Sequence, residues 1–285
     1  MKIGVSSYSF SKYIKAEKCD YIKICDLAKE MGFDGIEFTP LENPDYNITT
    51  DPFKTAKEIR EHCEKIGLEI IAYTVGVNLC CDNANEELEK LYRYIDVAEV
   101  LGAKTLRHDV CYGLKKDNHL YDYNDAIEDM VPLIRKATEY AQKKGIRTCT
   151  ENHGFIFQAP ERVEQLINAV NHKNYGWLCD MGNFLCADAD PVESVAIAAP
   201  HAFHVHVKDF LYKDGEGVCP PGFFGTSMGN YIRGTVIGHG VVPVNTCINI
   251  LKRAGYNEWI SIEFEGMEDC LPAIKAGIDY LKKII

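Results

Sequence analysis

The chain has 285 residues, a length that suits one large barrel of alternating strands and helices at least as well as two ordinary domains. Apolar residues make up 46% and charged residues 26%, the mix of an ordinary globular protein with material for a large core. The formal net charge of −11 repels phosphate backbones and anionic lipid, which argues against nucleic acid and membrane surfaces as partners.

The opening residues MKIGVSSYSF turn polar too early for a signal-peptide core. No stretch reaches the roughly eighteen apolar residues of a membrane span, so a cytoplasmic location is expected. The twelve cysteines contain no C-x-x-C pair, and Cys80 and Cys81 are adjacent, a poor geometry for holding one metal. Cys25, Cys149 and Cys179 fall inside predicted elements and read as reduced, small apolar residues.

In chain order, strand one is predicted at Lys2–Ser7 and a helix at Tyr21–Met31, with Ile22, Leu27 and Ala28 on its inner face. Gly32 stops that helix, and Gly35–Phe38 reads as strand two. Asp51 and Pro52 open the next helix as N-cap and first-turn proline, and Gly67 closes it. Strand three follows at Glu69–Thr74, a helix from about Glu86 to Leu101, and strand four at Lys104–His108. The second half repeats the scheme. Helix Tyr123–Lys144 precedes strand five at Ile146–Glu151, and helix Pro160–Val170 precedes strand six at Gly176–Asp180. Helix Pro191–Ala199 precedes strand seven at Ala202–Val207, and helix Val244–Ala254 precedes strand eight at Trp259–Glu263. Glu268–Ile285 is the closing helix.

Eight strands alternating with helices predict an α/β fold, a single (β/α)₈ TIM barrel across residues 1–285. An open doubly wound sheet would carry a glycine-rich dinucleotide turn after its first strand, and GVSSYS is not one. The one long connection is Phe210–Val242 after strand seven, with eight glycines and the aromatic residues Phe223, Phe224 and Tyr231. A loop of that length on the active face of a barrel is expected to cover the site or to meet a partner subunit or second copy.

Barrel enzymes build their sites at the C-terminal ends of strands. Glu151, Asp180, His206 and Glu263 stand at the ends of strands five to eight, each after an apolar run. Three carboxylates at one mouth repel one another unless a cation lies among them. With one imidazole they suit Mn²⁺ or Mg²⁺, with Co²⁺, Fe²⁺ or Zn²⁺ as alternatives, and leave positions open for water or substrate oxygens. Period-two alternation turns Glu263 inward between Ile262 and Phe264, and sets His204 one layer below His206. Lys208 lies just beyond and could neutralise an oxyanion.

The blocks TENHG (Thr150–Gly154), CDMGN (Cys179–Asn183), HVHVKD (His204–Asp209) and SIEFEG (Ser261–Gly266) resemble the sugar phosphate isomerase/epimerase family. This xylose-isomerase-like group includes tagatose and psicose 3-epimerases and inosose-processing enzymes. The resemblance implies Glu151, Asp180, His206 and Glu263 as ligands of one divalent metal, with the two glutamates relaying the proton of a sugar carbon. It implies a metal-dependent isomerase or epimerase of carbohydrate metabolism working through an enediolate. A lyase of the same family, a keto-inositol dehydratase or a 3-keto-glycoside deglycosidase, shares the metal and the base. A non-catalytic sugar-binding barrel is the remote alternative. Family epimerases often place a histidine where this chain has Asn183, which is left as a hydroxyl-binding residue. His153 and His108 are candidate catalytic replacements, and His239, in the block IGHG, is a candidate substrate contact together with Phe223 and Phe224. An endonuclease of the same superfold needs a histidine at Asn183 and a basic face, and both are lacking.

Overall fold

The computed structural model describes residues 1–42, 51–115 and 120–285. Eight parallel strands close into a barrel: β1 (Lys2–Ser6), β2 (Gly35–Phe38), β3 (Glu69–Val75), β4 (Thr105–His108), β5 (Arg147–Glu151), β6 (Tyr175–Asp180), β7 (Ala202–Val207) and β11 (Trp259–Ile262). Each pairs with its neighbour in chain order, and β11 pairs with both β7 and β1. The barrel strands are buried almost throughout, as expected for a parallel sheet covered by helices.

The helices begin and end where their capping residues stand. Asp20, Asp51 and Asp190 accept backbone N–H groups at the starts of α2 (Tyr21–Met31), α3 (Pro52–Ile66) and α7 (Pro191–Ala198). Gly32, Gly67 and Gly102 end α2, α3 and α4 (Ala84–Leu101) in the left-handed conformation. Asp122 and Asp125 form a capping box on α5 (Tyr123–Lys143). The remaining crossovers are α6 (Pro160–Val170), α8 (Val244–Arg253) and α9 (Cys270–Ile284).

Three expectations change. The inner face of α2 is Tyr21, Ile24, Cys25 and Ala28, the i, i+3, i+4, i+7 stripe, while Ile22 and Leu27 are only partly buried. A short helix absent from the sequence reading, α1 (Ser11–Glu17), follows β1 and buries Ile14. The third change is the long connection after β7, which is built rather than loose. It forms an antiparallel sheet in the order β8 (Asp209–Lys213), β10 (Tyr231–Thr235), β9 (Phe224–Gly225). Phe210 and Ile232 pack with Cys186 in a small core of their own. Asp188 ties the lobe to the barrel, accepting hydrogen bonds from Thr226 Oγ1, the Met228 N–H and Asn230 Nδ2 at 2.6–2.8 Å.

All twelve cysteines are free thiols, and Cys25, Cys149 and Cys179 are fully buried, as the sequence suggested. No helix among the described residues is long and apolar enough to cross a membrane.

Candidate metal centre

Glu151 and Asp180 are the last residues of β5 and β6, His206 lies one residue before the end of β7, and Glu263 directly follows β11. Each offers a donor atom, and the four atoms lie within 4.8 Å of one another. His206 Nδ1 is 3.8 Å from Glu151 Oε1, 3.7 Å from Asp180 Oδ2 and 3.6 Å from Glu263 Oε2. These separations are too long for hydrogen bonds. His206 Nδ1 and Asp180 Oδ2 are buried and have no hydrogen-bond partner. Buried polar atoms left in this way are unusual, and a facing nitrogen and carboxylate oxygen fit a cation held between them.

The surrounding side chains aim these donors. Asp180 Oδ1 accepts the N–H groups of Gly182 and Asn183 at 2.8 and 2.9 Å, which leaves Oδ2 to face the site. Gly182 is required there, because a Cβ would lie 2.8 Å from the Lys208 carbonyl oxygen. Asn152 joins β5 to β6: its Nδ2 donates to the Asp180 carbonyl, and its Oδ1 accepts from Trp177 Nε1 and the Asp180 N–H. His204 lies one layer below His206, as alternation predicts, and both rings meet Glu37.

Cations offset the buried negative charge. Lys208 Nζ lies 2.7 Å from Glu263 Oε2, 3.4 Å from Asp180 Oδ2 and 3.6 Å from Glu265 Oε2. Arg107 ion-pairs with Glu151 and, at 3.1 Å, with Asp109. Burial alone would raise the carboxyl of Glu263, but Lys208 and His206 hold it well below the usual carboxylate range. Burial would likewise lower His206, yet Glu37 and Glu263 raise it well above an ordinary histidine. The surrounding carboxylates therefore favour positive charge at this place, on the ring or on a cation entering beside it.

A cavity of about 210 Å³ opens over these groups, lined by Arg107, Glu151, His153, His206, Lys208, Glu263 and Glu265 with Tyr8, Thr39 and Thr74 at its wall. A larger groove of about 570 Å³ lies among Arg60, Glu64, Glu69, Glu99 and Lys144 at the opposite end of the barrel. Its charges pair across the surface without converging, so size does not identify the site here.

The other sequence candidates divide. His153 lines the cavity, with Nδ1 3.0 Å from Asp109 Oδ1. Asn183 is buried and is not among the described lining residues. Its Nδ2 donates to Glu151 Oε1 at 2.8 Å and its Oδ1 accepts from Lys208 at 3.2 Å, so it orients two side chains that do line the cavity. His108 is turned away, because its strand neighbour Arg107 takes the inward position. Its Nδ1 meets the Asp109 carbonyl and its ring packs against Tyr175. Phe223, Phe224 and His239 are not among the described lining residues. Phe224 packs edge-on against Phe210, Arg233 covers Phe223, and His239 sits exposed on a turn whose Gly238 and Gly240 N–H groups are held by Asp209.

Sequence reasoning passed over Glu37, Arg107 and Asp109. All three lie at or beside strand ends in the first half of the barrel. Extending the strand-end search to β2 and β4 would have found them.

Comparison with known proteins agrees with this architecture. The model of the xylose isomerase-like TIM barrel family matches residues 25–284. The chain is 20% identical over 262 residues to the L-ribulose-5-phosphate 3-epimerase UlaE of Salmonella heidelberg, an alignment covering 87% of this chain and 82% of that protein. The fold matches the crystal structure of AsbF from Bacillus anthracis, a probable 3-DHS dehydratase, with a TM-score of 0.75 at 19% identity over 99% of each chain. It matches the IolI protein, solved with a bound zinc atom, with a TM-score of 0.75 at 17% identity over 100% of this chain and 99% of that one. Relatives of this fold thus include both epimerases and dehydratases. On the strength of a family model that spans nearly the whole barrel, the chain belongs to the xylose isomerase-like TIM barrel family.

Proposed function

We propose that the protein is a divalent-metal-dependent sugar isomerase or epimerase that removes a proton beside a carbonyl and forms an enediolate. The observation that carries this reading is the facing pair of buried atoms without a hydrogen-bond partner, His206 Nδ1 and Asp180 Oδ2, enclosed by Glu151 and Glu263. Glu151, Asp180, His206 and Glu263 would hold Mn²⁺ or Mg²⁺, with Co²⁺, Fe²⁺ or Zn²⁺ as alternatives. When bound, the ion supplies Lewis acidity toward a carbonyl oxygen and a template for the neighbouring hydroxyl.

The chain's own residues supply the proton chemistry. Glu151 and Glu263 come from different strands and both line the cavity, so one can take the proton and the other can return it to the substrate. Lys208 lines the cavity 2.7 Å from Glu263 and would supply a positive partner for an enediolate oxygen. Arg107 keeps Glu151 paired and oriented while no substrate is bound.

One feature favours a lyase as the second reading. Partial desolvation at the cavity wall would lower the half-exposed His153, but its hydrogen bond to Asp109 raises it, which gives an imidazole able to protonate a leaving group. The lobe formed by β8, β9 and β10 would then accommodate a departing aglycone or a partner chain. Its β10 packs behind the cavity-lining Glu265, since a Cβ at Gly234 would meet the Glu265 backbone at 2.8 Å.

The test is incubation of Mn²⁺-loaded protein with free ketoses, keto-inositols and 3-keto-glycosides in D₂O, with products read by NMR. A substrate should exchange one C–H proton beside its carbonyl for deuterium. Glu151→Gln and Glu263→Gln, checked for retained metal, should each slow that exchange by about 10²–10⁴-fold. Turnover with the substrate hydrogen retained in the product would replace this mechanism with a hydride shift. Release of water or an aglycone, lost in His153→Gln, would establish the lyase.

A further inference from the structure

Glu37 is a fully buried carboxylate inside the barrel. It lies on β2, where the register against β3 slips between Ile36 and Glu37. The extra residue is Ile71 of β3, so β2 itself keeps its regular alternation. The carboxylate crosses the barrel interior to β7, 167 and 169 residues away in sequence. Oε2 lies 2.6 Å from His204 Nε2 and Oε1 lies 2.7 Å from His206 Nε2.

We infer that Glu37 is a positioning residue, which fixes the ring of His206 so that Nδ1 and not Nε2 is the nitrogen presented to the cation site. The inference rests on the metal reading proposed above. An ionised carboxylate only accepts hydrogen bonds, so the ring nitrogens that meet it at these distances carry hydrogen. With Nε2 engaged by Glu37, Nδ1 is the nitrogen available to a cation, the atom that faces Glu151, Asp180 and Glu263 and has no hydrogen-bond partner. Glu37 also holds the ring plane, because its two oxygens are pinned by two histidines of one strand. Ring-orienting carboxylates of this kind typically contribute 10–100-fold to metal affinity.

Glu37, His204 and His206 are close enough to form a rival cation site. Their contacts at 2.6–2.7 Å have the length of direct hydrogen bonds, which leaves no room for an ion between them. The two arrangements make opposite statements about His206: in one Nε2 carries hydrogen, in the other it binds metal.

The test combines Mn²⁺ affinity of the full chain, measured by water-proton relaxation, with ¹⁵N-edited NMR of the histidine rings in Mg²⁺ or Zn²⁺. Unmodified protein should show His206 as the Nε2–H form with metal on Nδ1. Glu37→Gln should weaken Mn²⁺ binding by about 10–100-fold while the folded spectrum persists. An unchanged affinity in Glu37→Gln, or metal on His206 Nε2, overturns the inference with the metal reading intact. Failure of the unmodified protein to bind any divalent cation overturns the metal reading and this inference with it. If Glu37→Gln does not fold, the ring tautomer of the unmodified protein decides.

Discussion

Glu151 and Glu263 have different cationic neighbours, and the difference sets what disturbance each tolerates. Arg107 is bound to Glu151, Asp109 and the Val75 carbonyl, and a guanidinium keeps its charge at any working pH. Replacing Arg107 by Met leaves buried Glu151 and Asp109 without their guanidinium, with only the imidazoles of His206 and His153 nearby. The expected loss is about 3–5 kcal/mol of stability, read by urea unfolding of the metal-free protein. Loss below about 1 kcal/mol would mean that the pair relaxes into solvent. His108 makes a second residue-scale prediction. Burial pushes its imidazole down to about 4 from an ordinary 6.5. The folded state therefore prefers it neutral, while the unfolded chain takes up the proton. Stability is intact above about pH 6.5 and falls as pH drops toward 4, by roughly 3 kcal/mol at most. His108→Phe should flatten that part of the stability profile, measured by urea unfolding at a series of pH values. An unchanged slope would assign the acid sensitivity to other groups.

At the scale of elements, the lobe after β7 is tied to the barrel by Asp188, by the Cys186 carbonyl, which accepts from Ser227, and by Glu268, which accepts from Thr235. Asp188 supplies three hydrogen bonds to it and sits at a φ of 55°, a left-handed conformation that glycine adopts without strain. Asp188→Gly therefore removes the side chain without adding a backbone penalty. Amide exchange across residues 214–230 should accelerate by about 10-fold or more, a loss of 1–3 kcal/mol from the lobe. The barrel's unfolding midpoint should change little, because the lobe's core is separate from that of the barrel. If the lobe governs access to the cavity, KM rises in the same variant. A loosened lobe with unchanged KM would detach it from the site. This single substitution is a cleaner probe than deletion of 217–230, which would also remove β9 and the residues that Asp188 holds.

The whole molecule closes its barrel through the same strands that carry the donors. β5, β6, β7 and β11 are consecutive around the ring, so a cation held by Glu151, Asp180, His206 and Glu263 links four neighbouring staves. Mn²⁺ at about a hundred times its Kd should stabilise the fold by about 2.7 kcal/mol, seen as a raised Tm that chelator reverses. Glu263→Gln should abolish most of that increment. An unchanged Tm across Mn²⁺, Mg²⁺, Co²⁺ and Zn²⁺ would count against the cation site.

The architecture was legible because local chemistry repeats. Aspartate caps, glycine stops and short apolar runs mark the helices and strands one after another, and the eightfold alternation implies closure. Strand-end position puts Glu151, Asp180, His206 and Glu263 at one mouth, and period-two alternation turns Glu263 inward and stacks His204 below His206. The sequence read less well wherever a role depends on what lies across the barrel. Glu37 meets His206 over 169 residues of separation, and Arg107 takes the inward place that sequence reading had left to His108. Asn183, expected at the substrate, is buried between Glu151 and Lys208 because Gly182 draws its turn against the Lys208 backbone. The glycine-rich stretch 210–242 gave no clear alternation, so its pairing into a small sheet became visible only through the contacts of Phe210, Ile232 and Asp188. Hydrophobic period and capping act within a few residues, and so a sequence displays them. The choice of which buried charge faces which is made by closure of the ring, which only the tertiary structure contains.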